Sequence, residues 1–318
     1  MSEEKIKAKD MLNRLLDKHY EEAWEAKQAG KKVGWVSSNF PQEFLEAMGL
    51  TVCYPENHST SLSAKHESMD MIAIAEKLGY SNDLCGYARV NLGFISKGDC
   101  ESQKMPLPDY VVCSNNICNQ LVKWFENVAR VCDVPLIVYD IPFNNAYEVT
   151  PSRMEYMHEQ IPYLISRLED VTGANWDEKR FKEVMEISNE CGKQWQRASK
   201  YFEANPSPMN GFEMFNYMAL MVCARGRRET VEAIRLLADE LEERYQAGET
   251  TFKGILGTTI TTPAAPAAAR DRPIRRAARA PAHPLSFLKS ACACSVLKTG
   301  RRSSIARAWS PRFAASAA

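Results

Sequence analysis

Residues 4–29 open the chain with a helical rhythm: Ile6, Met11, Leu15, Tyr20 and Trp24 fall near one face, and Gly30 closes the run. The next apolar block, Val33-Gly34-Trp35-Val36, is short and reads as a buried strand, followed by the polar turn Ser37-Ser38-Asn39. Pro41 suits the first turn of a helix that reaches Met48 and stops at Gly49. Leu50 to Tyr54 reads as a second strand, broken at Pro55. The alternation continues with a helix over Leu62–Leu78 and another from Leu84 to about Leu92, capped by Asp83. A strand over Tyr110–Cys113, a helix from Ile117 to about Cys132 and a strand from Pro135 to Tyr139 follow. Short apolar strands alternating with helices predict an α/β fold: a parallel, Rossmann-like sheet with flanking helices.

From Ser152 to about Gln246 the pattern is helical throughout, in segments near 152–171, 177–200, 209–224 and 228–246. This predicts a helical layer rather than more sheet. The expected organisation is an α/β domain over 1–150, a helical region over 151–253 and a disordered tail over 254–318.

Composition changes the picture mainly at that last boundary. The formal net charge is zero, yet it is unevenly spread. From Gly254 onward there are eleven Lys or Arg against one acid, Asp271, so the tail carries +10 and residues 1–253 carry −10. Seventeen alanines crowd the same segment and neither structural period is sustained. Such a stretch cannot bury enough apolar surface to offset its conformational entropy. It reads as a disordered basic tail or a reading-frame artefact, and the abrupt change favours the artefact. A tail of this charge can bind nucleic acid, but such tails more typically favour Lys and Gly or regularly interleaved aromatics, whereas this one is rich in Ala and Arg, so nucleic acid is not the expected partner. No run of about 18 apolar residues marks a membrane span, and the charged start MSEEKIKAKD is not a secretory signal. The cytoplasm is the expected location. There, the ten cysteines are expected to be buried thiols, metal ligands or redox groups rather than disulfides.

In a parallel sheet, ligands bind beyond the carboxyl ends of the strands. That edge is predicted to carry Ser37, Ser38, Glu56, Asn115, Cys118 and Asp140. Cys85 and Cys118 are the foremost candidates, each at the start of a predicted helix where exposed N–H groups and the helix dipole favour a thiolate. Two such thiolates can share an iron–sulfur cluster, although no CxxC spacing is present and two buried thiols are the plainer alternative. Cys53, Cys113 and Cys132 read as core, and Cys100, Cys191 and Cys223 show no partner spacing. Glu56, after a strand end, is a candidate general base or ligand-orienting group, with a solvated turn as the alternative. Ser37 and Ser38 are candidate donors to a carbonyl or thioester oxygen, with helix capping before Pro41 as the alternative. His58, His66 and His158 do not form a metal set.

Three stretches carry a resemblance. VGWVSSNFPQEFLEAMGLTVCYPENHS, SNDLCGYARVNLGF with Cys85, and PDYVVCSNNICNQLVKWFENVARVCDVPLIVYDIPFN with Cys118 resemble 2-hydroxyacyl-CoA dehydratase subunits. The likeness continues through PSPMNGFEMFNYMALMVCARG to about Lys253 and most resembles the substrate-binding type of subunit of amino-acid-fermenting anaerobes. Benzoyl-CoA reductase subunits are more distant relatives. The resemblance implies a heterodimer with a second dehydratase subunit, an iron–sulfur cluster (commonly 4Fe-4S) held by three cysteines, and an ATP-dependent activator protein as electron donor. It implies dehydration of an (R)-2-hydroxyacyl-CoA to an enoyl-CoA through a ketyl radical. It further implies that Cys85 and Cys118 are cluster ligands, that Ser37 or Ser38 sits near the open iron or thioester, and that Glu56 is an active-site acid or base.

Family members are expected to continue past this point with a second α/β domain that supplies the third cysteine. Nothing after Gly254 resembles that domain, and Cys292 and Cys294 stand in an unrelated context. The chain as written is therefore expected to be inactive alone. The other reading is a noncatalytic partner or scaffold subunit of a dehydratase or benzoyl-CoA reductase-like complex.

Overall fold

The computed structural model describes residues 6–251, apart from 147 and 205. The basic segment 254–318, with Cys292 and Cys294, lies outside the described residues. Four parallel strands form one sheet in the order β2-β1-β3-β4. They are β1 (Val33–Val36), β2 (Thr51–Cys53), β3 (Tyr110–Ser114) and β4 (Leu136–Tyr139). Every residue of β1 and β3 is buried, as expected for parallel strands covered on both faces.

Alternation along the strands sorts the core into two layers. Val36, Val52, Val112 and Ile137 face α2 (Gln42–Ala47), α7 (Pro151–Thr172) and α8 (Glu178–Ser199). Trp35, Cys53, Val111 and Cys113 face the other way. There they meet α1 (Ala8–Gln28), α3 (Pro55–Ala64), α4 (Ser68–Lys77), α5 (Gly86–Lys97) and α6 (Asn119–Cys132). Two glycines are required by close approach. A Cβ on Gly34 would fall 2.5 Å from the Tyr110 ring, and one on Gly93 would fall 1.9 Å from the Met71 carbonyl oxygen where α4 crosses α5. No helix among the described residues is long and apolar enough to cross a membrane.

The structure departs from the sequence reading between residues 55 and 97. The single helix expected over Leu62–Leu78 is two helices, α3 and α4, separated at His66, which takes the left-handed φ of 64°. Pro55 starts α3 at its first position, a place that tolerates the missing N–H. Glu56 therefore lies in the first turn of a helix and not in a turn. The next helix starts at Gly86 with Cys85, not Asp83, as its N-cap residue, and it runs on to Lys97.

The helices α9 (Gly211–Cys223) and α10 (Arg228–Gln246) pack with α8 and the first half of α1 around Leu12, Leu15, Leu220, Ile234 and Leu237. The joint between this layer and the sheet is polar. The Arg225 guanidinium donates to both carboxylate oxygens of buried Glu43, at 2.7 and 3.2 Å, and the Ser188 hydroxyl adds a third bond at 2.6 Å. Burial alone would push the Glu43 carboxyl up, but the guanidinium and the hydrogen bonds hold it below its ordinary value. Next to it, the Gln42 amide donates to the carbonyls of Met221 and Val222 at 3.2 and 2.6 Å and accepts from the Arg225 N–H at 2.9 Å.

Removing one partner of a buried, hydrogen-bonded pair leaves the other charge without compensation. Arg225→Ala is expected to lower stability by about 3–5 kcal/mol in urea unfolding. A double variant, Glu43→Gln with Arg225→Met, is expected to recover a large part of that loss. Equal losses in the single and double variants would contradict this account of the joint.

Candidate active site

The strand order reverses at β1: β2 lies on one side of it and β3 on the other. In such sheets ligands usually sit beyond the carboxyl ends of the strands at this point, and the cleft found there is lined by Ser38 after β1 and Glu56 after β2. Ser37 stands at the carboxyl end of β1. Its N–H donates to the Val112 carbonyl at 3.0 Å, and its hydroxyl accepts from the Ser114 N–H at 3.2 Å. The residue is fully buried, so this hydroxyl stitches two strands together. Ser38, one residue later, is half-buried and lines a cleft of about 550 Å³. Such a volume suits a small-molecule site.

Glu56 lines the same cleft. One carboxylate oxygen accepts from the Ser38 N–H at 3.0 Å, while the other is shut off from solvent with no hydrogen-bond partner. Burial pushes its pKa up to about 7, and the bonds from Ser38 offset only part of that effect. A carboxyl that titrates near neutrality can both accept and deliver a proton. Around it, the Tyr20 hydroxyl donates to the Asn57 side-chain oxygen at 3.0 Å, and the Ser59 hydroxyl holds the Tyr87 carbonyl at 3.0 Å. Tyr20 and Tyr87 also line the cleft.

Cys85 and Cys118 occupy the N-cap positions of α5 and α6. Both are free thiols, Cys85 half-buried and Cys118 exposed. The Cys85 N–H donates to the side-chain oxygen of Gln120 at 2.9 Å, which ties the start of α5 to the turn of α6 that follows Cys118. Neither cysteine lines the cleft, but Tyr87, two residues after Cys85, does. The first turn of α5 thus joins the cysteine-bearing surface to the carboxyl-bearing cleft. Cys85 and Cys118 could each present a thiol to a metal. Among the described residues, however, no group of three or more His, Cys, Asp or Glu side chains is arranged to hold a metal.

The other candidates take structural places. The Asn115 amide and the Tyr156 hydroxyl both donate to Asp140, the latter at 2.5 Å, and the Ile141 N–H donates to Asn115 at 2.7 Å. This knot ties the ends of β3 and β4. Cys53 and Cys113 are fully buried, and burial pushes both thiols up to about 12, in keeping with core positions. Cys132 is only half-buried. The His58 Nε2–H donates to the Gln103 carbonyl at 2.8 Å, and burial drives its pKa down to about 4, so it is a neutral core histidine.

Sequence reasoning alone misses Tyr20, Tyr87 and Gln120. Tyr87 and Gln120 stand two residues after Cys85 and Cys118, so proximity in sequence is an available signal. Tyr20 reaches the cleft from α1, and its place in a core-facing helical stripe gives no such signal.

Residues 37–260 match the family model for 2-hydroxyglutaryl-CoA dehydratase, D-component. The chain belongs to this dehydratase family. It is 49% identical over 248 residues to the (R)-phenyllactyl-CoA dehydratase alpha subunit of Clostridium sporogenes, an overlap of 78% of this chain and 61% of that protein. It is 48% identical over 252 residues to the (R)-2-hydroxyisocaproyl-CoA dehydratase alpha subunit of Clostridioides difficile, covering 79% and 62%. A more distant relative, a benzoyl-CoA reductase subunit of Thauera aromatica, is 27% identical over 259 residues, covering 77% and 59%. The chain thus spans about three fifths of the length of these dehydratase relatives.

The raised pKa of Glu56 has a sign that stability measurements can read. Between the ordinary value of 4.5 and about 7 the folded state binds more protons than the unfolded chain, so this group's contribution falls as pH rises through that window. The full loss is on the order of 3 kcal/mol. Glu56→Gln is expected to flatten that part of the pH profile and to be the more stable protein at pH 8. Urea unfolding of both proteins across the window checks this, and parallel profiles would refute the burial of a titrating carboxyl.

Proposed function

We propose that this chain is a subunit of an (R)-2-hydroxyacyl-CoA dehydratase, forming an enoyl-CoA, in which Cys85 and Cys118 are two ligands of an iron–sulfur cluster. The observation that supports the reading is the pairing of two free thiols at tied helix starts with a cleft that buries a carboxyl, in a chain of this family. The proposed partners are a second dehydratase subunit, in keeping with the alpha-subunit names of the relatives, and an ATP-dependent activator protein that donates electrons. In this reading the third cysteine of the ligand set is not supplied by any assigned residue of this chain.

Each residue has a distinct task in this reading. The 2-hydroxyl of a saturated thioester is a poor leaving group, and the β-proton lost with it is weakly acidic. The bound cluster would supply one-electron chemistry at the thioester carbonyl, the ketyl-radical route that makes both steps feasible. The Ser38 turn, held by Glu56, orients the thioester end. Glu56, whose side chain lines the cleft, takes the β-proton and can return a proton to the departing hydroxyl. The leucine and tyrosine side chains of the cleft keep water away from a reactive intermediate.

Anaerobic reconstitution of the full chain with iron and sulfide tests the cysteine assignment without relying on turnover. Cys85→Ser and Cys118→Ser are each expected to lower bound iron and thiolate-to-iron absorption severalfold. Cys132→Ser is expected to leave both unchanged. Iron content indifferent to Cys118 would end the cluster assignment. A second reading, a noncatalytic scaffold subunit, gains from the lack of any group of three metal-ligand side chains among the described residues. Co-purification with a second dehydratase subunit in a complex where this chain carries no iron would favour it.

A further inference from the structure

Cys85 and Cys118 stand at helix N-cap positions, where Ser, Thr, Asp or Asn normally supplies a side-chain acceptor. Neither thiol makes such a bond, so the two helix starts are fixed by other means. At Cys118 the preceding turn is tied to the sheet: the Ser114 N–H donates to the Ser37 hydroxyl at 3.2 Å, and the Asn115 amide donates to Asp140. At Cys85 the tie is a clamp on one peptide. The Leu84 carbonyl accepts from the Arg89 Nε–H at 3.0 Å, and the Cys85 N–H, at the other end of the same peptide, donates to Gln120 Oε1 at 2.9 Å. Arg89 is in turn paired with Glu76 of α4 at 2.5 Å. Two residues on, the Tyr87 carbonyl accepts from the Ser59 hydroxyl of α3 at 3.0 Å. Gln120 is exposed and Cys85 only half-buried, so water is at hand to satisfy this peptide. Ordering two long side chains around it costs conformational entropy, and what is gained is direction. A planar peptide held at both ends cannot swivel, and the Cys85 Cβ is fixed with it.

We propose that Gln120 and Arg89 are positioning residues that clamp the Leu84–Cys85 peptide and so set the Cys85 thiol at a fixed separation from the Cys118 thiol, ready for one thiophilic metal centre. The inference rests on the reading of these two cysteines as ligands of a common cluster. Gln120 rides on α6 two residues after Cys118, so its bond to the Cys85 N–H couples the place of one thiol directly to the helix that starts at the other. Arg89 holds the opposite end of the peptide from α5 and anchors it to α4. Neither side chain needs to touch the metal. Both act through the backbone of a ligand, in the way that outer groups orient metal-binding side chains.

The test uses the full 318-residue chain carrying Cys132→Ser, Cys292→Ser and Cys294→Ser, so that the thiols left besides Cys85 and Cys118 are buried ones. Two probes read the pair without turnover. Dibromobimane bridges two neighbouring thiols, and mass spectrometry gives the ratio of bridged to singly alkylated chain. Cadmium alone, followed by calorimetry, gives the affinity of the thiol pair for a soft metal. Gln120→Ala and Arg89→Ala are each expected to lower the bridging ratio severalfold and to weaken cadmium binding about tenfold. Gln120→Glu keeps an acceptor of the same reach and is expected to retain the bridging ratio, a rescue that general loosening of the helix does not give. Circular dichroism confirms that the variants fold. If Gln120→Ala and Arg89→Ala bridge as readily as the parent, or Gln120→Glu fails as Gln120→Ala does, the positioning role falls and the cluster assignment stands. If the parent is alkylated at both thiols and never bridged, the pair does not share one centre, and the cluster assignment falls together with the positioning role.

Discussion

A two-pronged ion pair closed off from water, Arg225 on Glu43, determines how the helices after residue 150 meet the sheet. Glu43 belongs to α2, the helix that follows β1, so the pair acts close to the strand whose end carries Ser37 and Ser38. Its neighbour Gln42 grips the last carbonyls of α9. These bonds place α9 opposite α1 and α3, and the cleft exists because those three helices stand apart at that distance. A nonpolar joint could slide. Hydrogen bonds of fixed direction cannot do so without leaving buried groups unpaired, which is expensive in a low dielectric. Arg227 adds ion pairs to Glu22 of α1 and Glu46 of α2 at 2.6 and 3.2 Å, so one loop of the helical layer reaches both of those helices.

The sheet and the helices around it are legible in the sequence because their signals are local. Val33-Gly34-Trp35-Val36 and Tyr110-Val111-Val112-Cys113 have the continuous apolar character of strands buried on both faces, and both lie where expected. Cys85 and Cys118 can be placed at helix starts because a turn followed by a helical period marks the boundary. Helix α3 escapes such reasoning because Glu56-Asn57-His58-Ser59-Thr60 shows no apolar period. Its stability comes from Pro55 at the first position and from Leu62, His58 and Ser59 packing inward, a tertiary effect that overrides a weak local pattern. The break at His66 is equally hidden, since a left-handed histidine has no compositional mark comparable to glycine.

The candidate site is legible in its parts but not in their division of labour. Ser37 and Ser38 are chemically identical neighbours, and only the strand register decides that the first faces the interior and the second the cleft. The raised pKa of Glu56 depends on what covers it, and its partner Ser38 comes from another segment of the chain. The apolar stripe of α1 reads as one face, which is buried at Leu15 and Tyr20 but exposed at Ile6 and Trp24, and Tyr20, with its neighbour on the helix Leu16, also lines the cleft. Periodicity identifies the buried face of a helix and does not tell what that face is buried against.

The Ser37 hydroxyl bond has a mechanical meaning for the cleft beside it. The ladder between β1 and β3 ends with a side chain standing in for a backbone acceptor, so the two strands are held together to that point and part immediately after it. The end of β1 is therefore fixed at one residue of the sheet, and the next peptide along is the one that holds Glu56. The walls are attached separately through α1 and α9. Side chains on those walls can be exchanged to suit different molecules while the carboxyl stays anchored to the rigid frame, an arrangement in which selectivity and reactivity vary independently.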